Sequence, residues 1–295
     1  MEPKILRYVL MLANEKNFSK AAKKLHLSQP SLSYQIAKLE KELGVLLFNR
    51  GKGKIHLTFA GEKFVERTIK IIDELEQLRN EMLDVAEMKK GQLIIGSLAT
   101  TGAYLLPNTI AIFKEKYPGI ELVLLEDTTT NLELLVSRGE VEISLLSMPV
   151  ENTELEVETI LEEDILLAVP NSHRLANHRE INLSDCSEDH FILTKQENGF
   201  RKTTENLCHK AGFEPKVIFE SINIHTCQSL VLSGMGITFV PSMILDDNKF
   251  LNTLKYLPIK KPAYPKRNVV FAYKNGRYLS KAARAFIDIM KKLTE

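Results

Sequence analysis

Tryptophan is absent, cysteine occurs three times, and glycine (14) and proline (11) are scarce in a chain of 295 residues. That scarcity excludes collagen-like and low-complexity chains, and an apolar fraction of 44% excludes a disordered one. Cys186, Cys208 and Cys227 are odd in number and lie 22 and 19 residues apart, with no C-x-x-C pair and no short Cys/His ligand pattern. They read as free thiols. A redox switch is the other reading, although nothing in the spacing marks a sensing pair. No run reaches the roughly 18 apolar residues of a membrane span. Met1 to Asn14 is interrupted by polar residues where an export signal would be charged and then apolar. A cytoplasmic protein without a membrane partner is expected. Also missing are a G-x-S-x-G, a lysine-bearing phosphate loop and an acid–base pair. Gly234-x-Gly236 lacks the third glycine of a dinucleotide turn and lies between a helix and a strand, the reverse of the order required. His173 with His178, and His225 near Cys227, have no metal-ligand spacing. No catalytic residues, metal or cofactor are therefore expected.

Net charge is nearly absent too, at +1, but it is unevenly distributed. Residues 1–58 hold 11 Lys and Arg against 4 Asp and Glu; residues 59–90 hold 6 against 8, and residues 91–295 hold 22 against 26. A basic small domain on a mildly acidic remainder suits a molecule of which one part approaches phosphates. The length itself suggests two domains.

Within the basic part, residues 3–15 form a first helix, with Ile5, Leu6, Val9, Leu10 and Leu12 on its core side. Two short helices joined by His26-Leu27-Ser28 follow. Ser19 is a plausible cap of the first of them, and Ala21, Ala22 and Leu25 line its buried face. Ser28 caps the second, Pro30 sits in its first turn, and Leu32, Ile36, Leu39 and Leu43 form a stripe to be buried. Gln29, Ser31, Ser33, Tyr34, Gln35 and Lys38 are left on the opposite face. Amides, hydroxyls and a cation on the first turns of such a helix suit base edges and phosphates in a DNA major groove. Periodicity alone equally fits an ordinary amphipathic pair with a solvated polar face. Gly44 ends the helix, and Val45 to Thr58 reads as a two-strand wing. Leu46 and Phe48 turn inward, and Arg50, Lys52 and Lys54 flank or occupy a glycine-rich tip suited to phosphates.

From Phe59 to Met88 the pattern is continuously helical, about 45 Å at 1.5 Å per residue. Phe64, Thr68, Ile71, Leu75, Leu78, Met82 and Val85 recur as a heptad seam that needs a partner, most simply the same helix of a second subunit. Val65, Ile69 and Ile72 form a second strip that could rest on the winged domain. After a hinge at Met88 to Gly91, strands and helices alternate: strands at 93–96, 121–126 and 141–146, with helices at 103–116 and 131–138 between them. A similar set follows from Ile165, and the expected fold is α/β, with parallel sheets in two lobes.

The run FSxAAxxLxxSQPSLSxQIxxLExxLGxxLFxR from Phe18 to Arg50, with LTxAG from Leu57 to Gly61, resembles the N-terminal domain of the LysR-type transcriptional regulators. The resemblance continues more loosely through LLP (Leu105–Pro107), YPGIE (Tyr117–Glu121), GEVEI (Gly139–Ile143), AGFEP (Ala211–Pro215) and SGMGITFVP (Ser233–Pro241). Tyr34 stands where many members carry Arg, so a phenol replaces that cation. The resemblance implies a winged helix-turn-helix at 1–58, a dimerising linker helix at 59–88 and an effector domain at 89–295. In it, lobe I (89–161 and 268–295) and lobe II (162–267) would resemble a periplasmic binding protein. Double-stranded DNA, a small effector and a homodimer commonly extended to a tetramer are the partners implied.

In parallel sheets a ligand lies beyond the carboxyl ends of the strands, near helix N-termini that favour anions. Those positions give Ser97, Thr100, Thr101, Thr128, Thr129, Thr130 and Ser147 in the first lobe, and Lys195, Asn198 and Arg201 in the second. Capping of the following helices is the competing role for each hydroxyl. In similar regulators, positions corresponding to Thr100, Thr101 and Thr129 often carry hydroxyls that bind a carboxylate or sulfate-like group. Ser147 offers no cation for a second carboxylate, which favours a mono-anion or a polar metabolite. Two further classes stand beside this reading: a small-molecule-binding protein with a helical extension, and an enzyme using the cleft. Neither explains the basic first 58 residues or the seam.

Overall fold

The computed structural model describes residues 2–50, 55–85, 90–246, 253–261 and 264–294. Lys52 and Lys54 of the wing tip, the side chains of Arg50 and Val85, and Met88 and Lys89 of the hinge lie outside the described residues. By its contacts the chain divides into Met1–Met82 and Leu83–Glu295.

In the first unit, α1 (Pro3–Glu15), α2 (Phe18–Lys24) and α3 (Gln29–Leu43) enclose a core of Val9, Leu12, Ala21, Ala22, Leu32, Ile36 and Leu39. Ser28 caps α3 by accepting from Ser31 N–H at 3.3 Å, with Pro30 in the first turn, and Gly44 ends it in the left-handed region at φ 71°. The cap of α2 is Asn17, not Ser19: its Oδ1 accepts from Lys20 N–H at 3.0 Å, one residue before the helix where a cap must stand. Leu43, the last residue of α3 and expected in the buried stripe, is 38% exposed.

The wing is β1 (Phe48–Arg50) paired antiparallel with β2 (Ile55–Leu57). Leu46, expected inward, is exposed; Leu47 and Phe48 are the buried pair. The cause is an anchor at the root of the wing. Glu40, buried on the apolar side of α3, accepts Leu47 N–H at 2.8 Å and Phe48 N–H at 3.1 Å. Thr58 Oγ1 then donates to Leu46 O at 2.6 Å and accepts Gly61 N–H at 2.9 Å, starting α4 (Phe59–Val85). Gly61 is obligatory here, since a Cβ would lie 2.0 Å from Leu47 O. On α4, the half-buried Phe64 and Val65 pack against the winged core. Ile71, Leu75, Leu78 and Met82 stay exposed, Leu78 at 55%.

The second unit is a mixed sheet where a parallel one was expected. β3 (Gly91–Ser97) lies parallel to β4 (Ile120–Glu126) and β5 (Ile143–Ser147), with α5 (Ala99–Lys116) and α6 (Thr129–Ser137) as crossovers. A strand of 16 residues, β6 (Leu155–Pro170), then runs through both lobes. The other lobe adds β7 (Ile181–Asn182), β8 (His190–Thr194), α7 (Gly199–Lys210), β9 (Lys216–Ser221), α8 (Ile224–Leu232), β10 (Thr238–Pro241) and β11 (Leu254–Lys261). β12 (Lys266–Lys274) returns antiparallel along residues 155–164 of β6, while residues 165–170 pair with β10 and β11. α9 (Lys281–Thr294) closes the first lobe, its Phe286 ring 5.4 Å from Phe113 and 6.2 Å from Phe271.

At the crossing, Arg267 Nε donates to Glu163 Oε1 at 2.9 Å and Nη2 lies 2.6 Å from the same oxygen. Glu163 Oε2 also accepts Met243 N–H at 2.7 Å. Burial pushes the Arg267 pKa down, and Glu163 opposes that shift.

Glu40→Ala would strand two buried N–H groups at the wing root, each costing roughly 1–3 kcal/mol. Urea unfolding should show a lower midpoint for Glu40→Ala and a smaller loss for Glu40→Gln, which keeps an acceptor; equal midpoints in all three proteins would exclude the anchor.

Candidate DNA interface and effector cleft

The recognition face of α3 is local in origin. Ser28, Gln29, Pro30, Ser31, Tyr34 and Lys38 are exposed, and Ser33 and Gln35 are half-buried beside the stripe that seats the helix. The helix thus presents two carboxamides, hydroxyls, a phenol and a cation to the outside, while Ser28 already takes the Ser31 N–H and Pro30 has none to offer. That set can donate to and accept from base edges and donate to phosphate.

The cleft residues lie where strands of both lobes end, but not in the state expected. α5 begins at Ala99 and not at residue 103, so Thr100 and Thr101 stand in its first turn and not in a loop. Ser97, Thr100, Thr101, Thr129 and Ser147 are all buried. Capping does not occupy the hydroxyls: the cap positions of α5 and α6, Leu98 and Thr128, make no side-chain capping bond. Asp127, just before α6, accepts from Thr128 N–H at 2.7 Å and from Asn131 Nδ2 at 3.0 Å. The hydroxyls of Thr101 and Thr128, and of Thr194 at the end of β8, are buried without a hydrogen-bond partner among the described residues. An unpartnered buried hydroxyl is costly unless something else meets it.

The lobes touch on either side of these groups. Thr129 Oγ1 accepts Gly199 N–H from the start of α7 at 2.9 Å, and Thr130 N–H reaches Glu197 O at 3.3 Å. Tyr104 of α5 stacks on His225 of α8 with centroids 6.1 Å apart. Gly199 has no room for a side chain, since a Cβ would lie 2.4 Å from Ser147 O. Sequence reasoning named Thr128, as the first hydroxyl after β4, but missed Gly199 and His225 as functional neighbours, and neither carried a signal for this role.

Lys195 is exposed at the end of β8. Arg201 is already engaged within the protein. Its guanidinium is buried, donating to Thr194 O at 2.6 Å and pairing with Glu205 and Glu220 at 2.8 Å each. Two carboxylates already pair with it, so it braces α7 against β9, while its Nε is buried without a hydrogen-bond partner among the described residues. All three cysteines are buried. Burial is the main cause that pushes Cys186 and Cys208 up to about 12 and Cys227 up to about 11.

Fold and site together define a winged-helix DNA-binding protein joined to a two-lobed ligand-binding domain. The family model described as bacterial regulatory helix-turn-helix protein, lysR family, matches residues 3–62, and the LysR substrate binding domain matches residues 86–295. The chain therefore belongs to the LysR family and is a DNA-binding transcriptional regulator with an effector-binding domain. Among its relatives, the transcriptional regulator YcgK of Bacillus subtilis is 36% identical over 99% of this chain and 94% of its own. OxyR of Escherichia coli is 30% identical over 96% and 95%. A full-length OxyR cysteine variant from Pseudomonas aeruginosa superposes with a TM-score of 0.76 at 26% identity, covering 99% of this chain and 95% of that one. CbnR bound to its target DNA shares the fold, with a TM-score of 0.69 at 22% identity and 99% coverage of both chains. Among the described residues, no helix is long and apolar enough to cross a membrane.

Gln29→Ala should relax base preference and cost roughly 1–3 kcal/mol at the specific site if its contact is bidentate. Lys38→Ala should weaken all duplexes alike and lower the salt slope by about one for a single phosphate contact. Titrations at several salt concentrations decide both; equal losses on specific and random DNA for Gln29→Ala would remove its base-reading role.

Proposed function

We propose that the chain controls transcription in response to a small polar molecule, neutral or singly anionic, bound between the lobes. The observation that carries this is the set of buried hydroxyls of Thr101, Thr128 and Thr194, at the strand ends of both lobes, that make no hydrogen bond among the described residues. Helix N-termini add N–H groups and a favourable dipole for an anion. With Arg201 already paired to two carboxylates, Lys195 is the remaining cation of the expected set, which argues against a ligand with two charges. In this reading Ser97, Thr100 and Ser147 shape the pocket, and Thr129 either holds Gly199 or releases it to the ligand. Residues 1–58 form the DNA-binding domain, 59–88 the dimerising helix and 89–295 the effector domain. Lobe I comprises 89–161 and 268–295, and lobe II comprises 162–267. Ile71, Leu75, Leu78 and Met82, exposed on one helix, support pairing of two copies along α4. The effector acts only so far as it binds one arrangement of the lobes more tightly than the other, typically by about 1–3 kcal/mol of coupling. A metabolite panel screened by thermal shift tests the site. Compounds that stabilise the wild type should fail to stabilise Thr101→Val and Thr128→Val, while effector-free DNA binding stays nearly intact. Hits that stabilise all three proteins alike would place the effector elsewhere.

Some relatives are named hydrogen peroxide-inducible genes activators, among them that of Dickeya chrysanthemi, 32% identical over 92% of this chain. Peroxide reacts with a thiolate that it can reach. The cysteines here are buried and held protonated, so in our reading the effector of this chain binds without redox chemistry. A thiol reagent at pH 8 should label none of the three until the protein is unfolded, and millimolar peroxide should leave DNA binding unchanged. Rapid labelling of the native protein would reverse this reading. The linkage has a sign as well. The folded thiols titrate above their ordinary 9.0, so their contribution to stability is complete below pH 9 and is lost as pH rises towards 11 and 12.

A further inference from the structure

Beside the hydroxyl-lined cleft lies a second cavity of about 280 Å³, to which none of the cleft hydroxyls contributes. Its walls come from three places: the Met148-Pro149 segment after β5, the first turns of α7 through Lys202, Thr203 and Asn206, and the crossing strand β12 through Lys266, Arg267 and Asn268. The lining holds three cations, two carboxamides and a hydroxyl, and no carboxylate. At roughly 30 Å³ per water, that space equals about nine waters, the size of a metabolite of about ten non-hydrogen atoms.

The cations are not equivalent. Arg267 is fixed by its buried bond to Glu163 and by its place over the Phe200 ring, 5.4 Å from the centroid. It contributes a wall and cannot turn to a ligand. Lys202 and Lys266 are held only by surface partners: Glu151 at 2.5 Å and Asp164 at 2.8 Å, whose side chains are 64% and 53% exposed. Exposed pairs of this kind contribute little and exchange readily for a better partner. A dianion entering the cavity would meet both ammonium groups at once, with Asn206 and Asn268 to donate to its remaining oxygens.

We propose that this cavity is a second ligand site, distinct from the hydroxyl-lined cleft. It takes a small dianion, a phosphate ester or dicarboxylate, between Lys202 of α7 and Lys266 of β12. Such a ligand ties the second lobe to the crossing strand. Thr203 Oγ1 already donates to Met148 O across the same junction at 3.1 Å, so occupancy favours the lobe arrangement seen here.

The test is the melting temperature of the full-length protein, titrated with malonate and with inorganic phosphate at constant ionic strength in chloride. Both dianions should raise it saturably at millimolar concentration. In the Lys202→Gln/Lys266→Gln double variant the half-saturating concentration should rise at least ten-fold. Two controls separate the alternatives. Lys260→Gln removes a surface charge outside the cavity, one paired with Glu180, and should keep the response, as should Thr101→Val, whose change lies in the cleft. Circular dichroism without anion establishes that each variant is folded; should the double variant unfold, Lys202→Gln alone takes its place and should weaken the response in the same direction. No shift beyond chloride, a shift undiminished in the lysine variants, or a shift lost in Thr101→Val would each overturn the proposal. The last would assign the anion to the cleft.

Discussion

The ion pair between Glu163 and Arg267 is the constraint on which the two-lobed body depends. It joins residues 104 apart in sequence at the place where β6 and β12 run from one lobe into the other. Both side chains are nearly inaccessible, and removing one partner of such a pair leaves an uncompensated charge, a loss on the order of 3–5 kcal/mol. The pair does more than hold the strands together. Glu163 also takes Met243 N–H from the segment after β10, and Arg267 lies over Phe200 at the start of α7. The point about which the lobes would turn is therefore wired to the helix whose N-terminus meets Thr129.

A comparable economy operates at the wing. Glu40, Thr58 and Gly61 stand in the motifs LExxLG and LTxAG, and none of them faces outward to read DNA. Glu40 fixes the two N–H groups that begin the wing; Thr58 ties the wing's base to the start of α4; Gly61 lets the helix approach Leu47 closely enough for both bonds to form. The orientation of the wing relative to α3 follows from these contacts, and a recognition helix without a fixed wing would lose the phosphate contacts that set its register.

The cleft follows a different logic, in which polar groups are buried but left incomplete. Thr129 has found a partner across the lobes, whereas Thr101, Thr128 and Thr194 have none among the described residues. Buried hydroxyls that neither cap a helix nor pair within the protein resemble a binding site more than a set of helix caps.

What the sequence determined by itself is local. Ser28, Pro30 and Gly44 delimit α3 because a cap, a missing N–H and a left-handed φ act within a turn. The outward face from Gln29 to Lys38 follows from the 3.6-residue period of the stripe beneath it. Even Glu40 was legible in principle, as a carboxylate eight residues after Leu32 on the apolar side. The tertiary structure decided the rest, through pairings far apart in the chain. Residues 155–164 show no pattern that predicts a strand shared by two lobes, because their partners arrive more than a hundred residues later in β12. Phe64 fits a heptad, and only the packing of α4 shows that it also touches the winged core. Arg201 reads as an unpaired cation until folding brings Glu220, on another element, to 2.8 Å. Periodicity records which face of an element is buried; which groups meet across that buried face is fixed only when the elements pack.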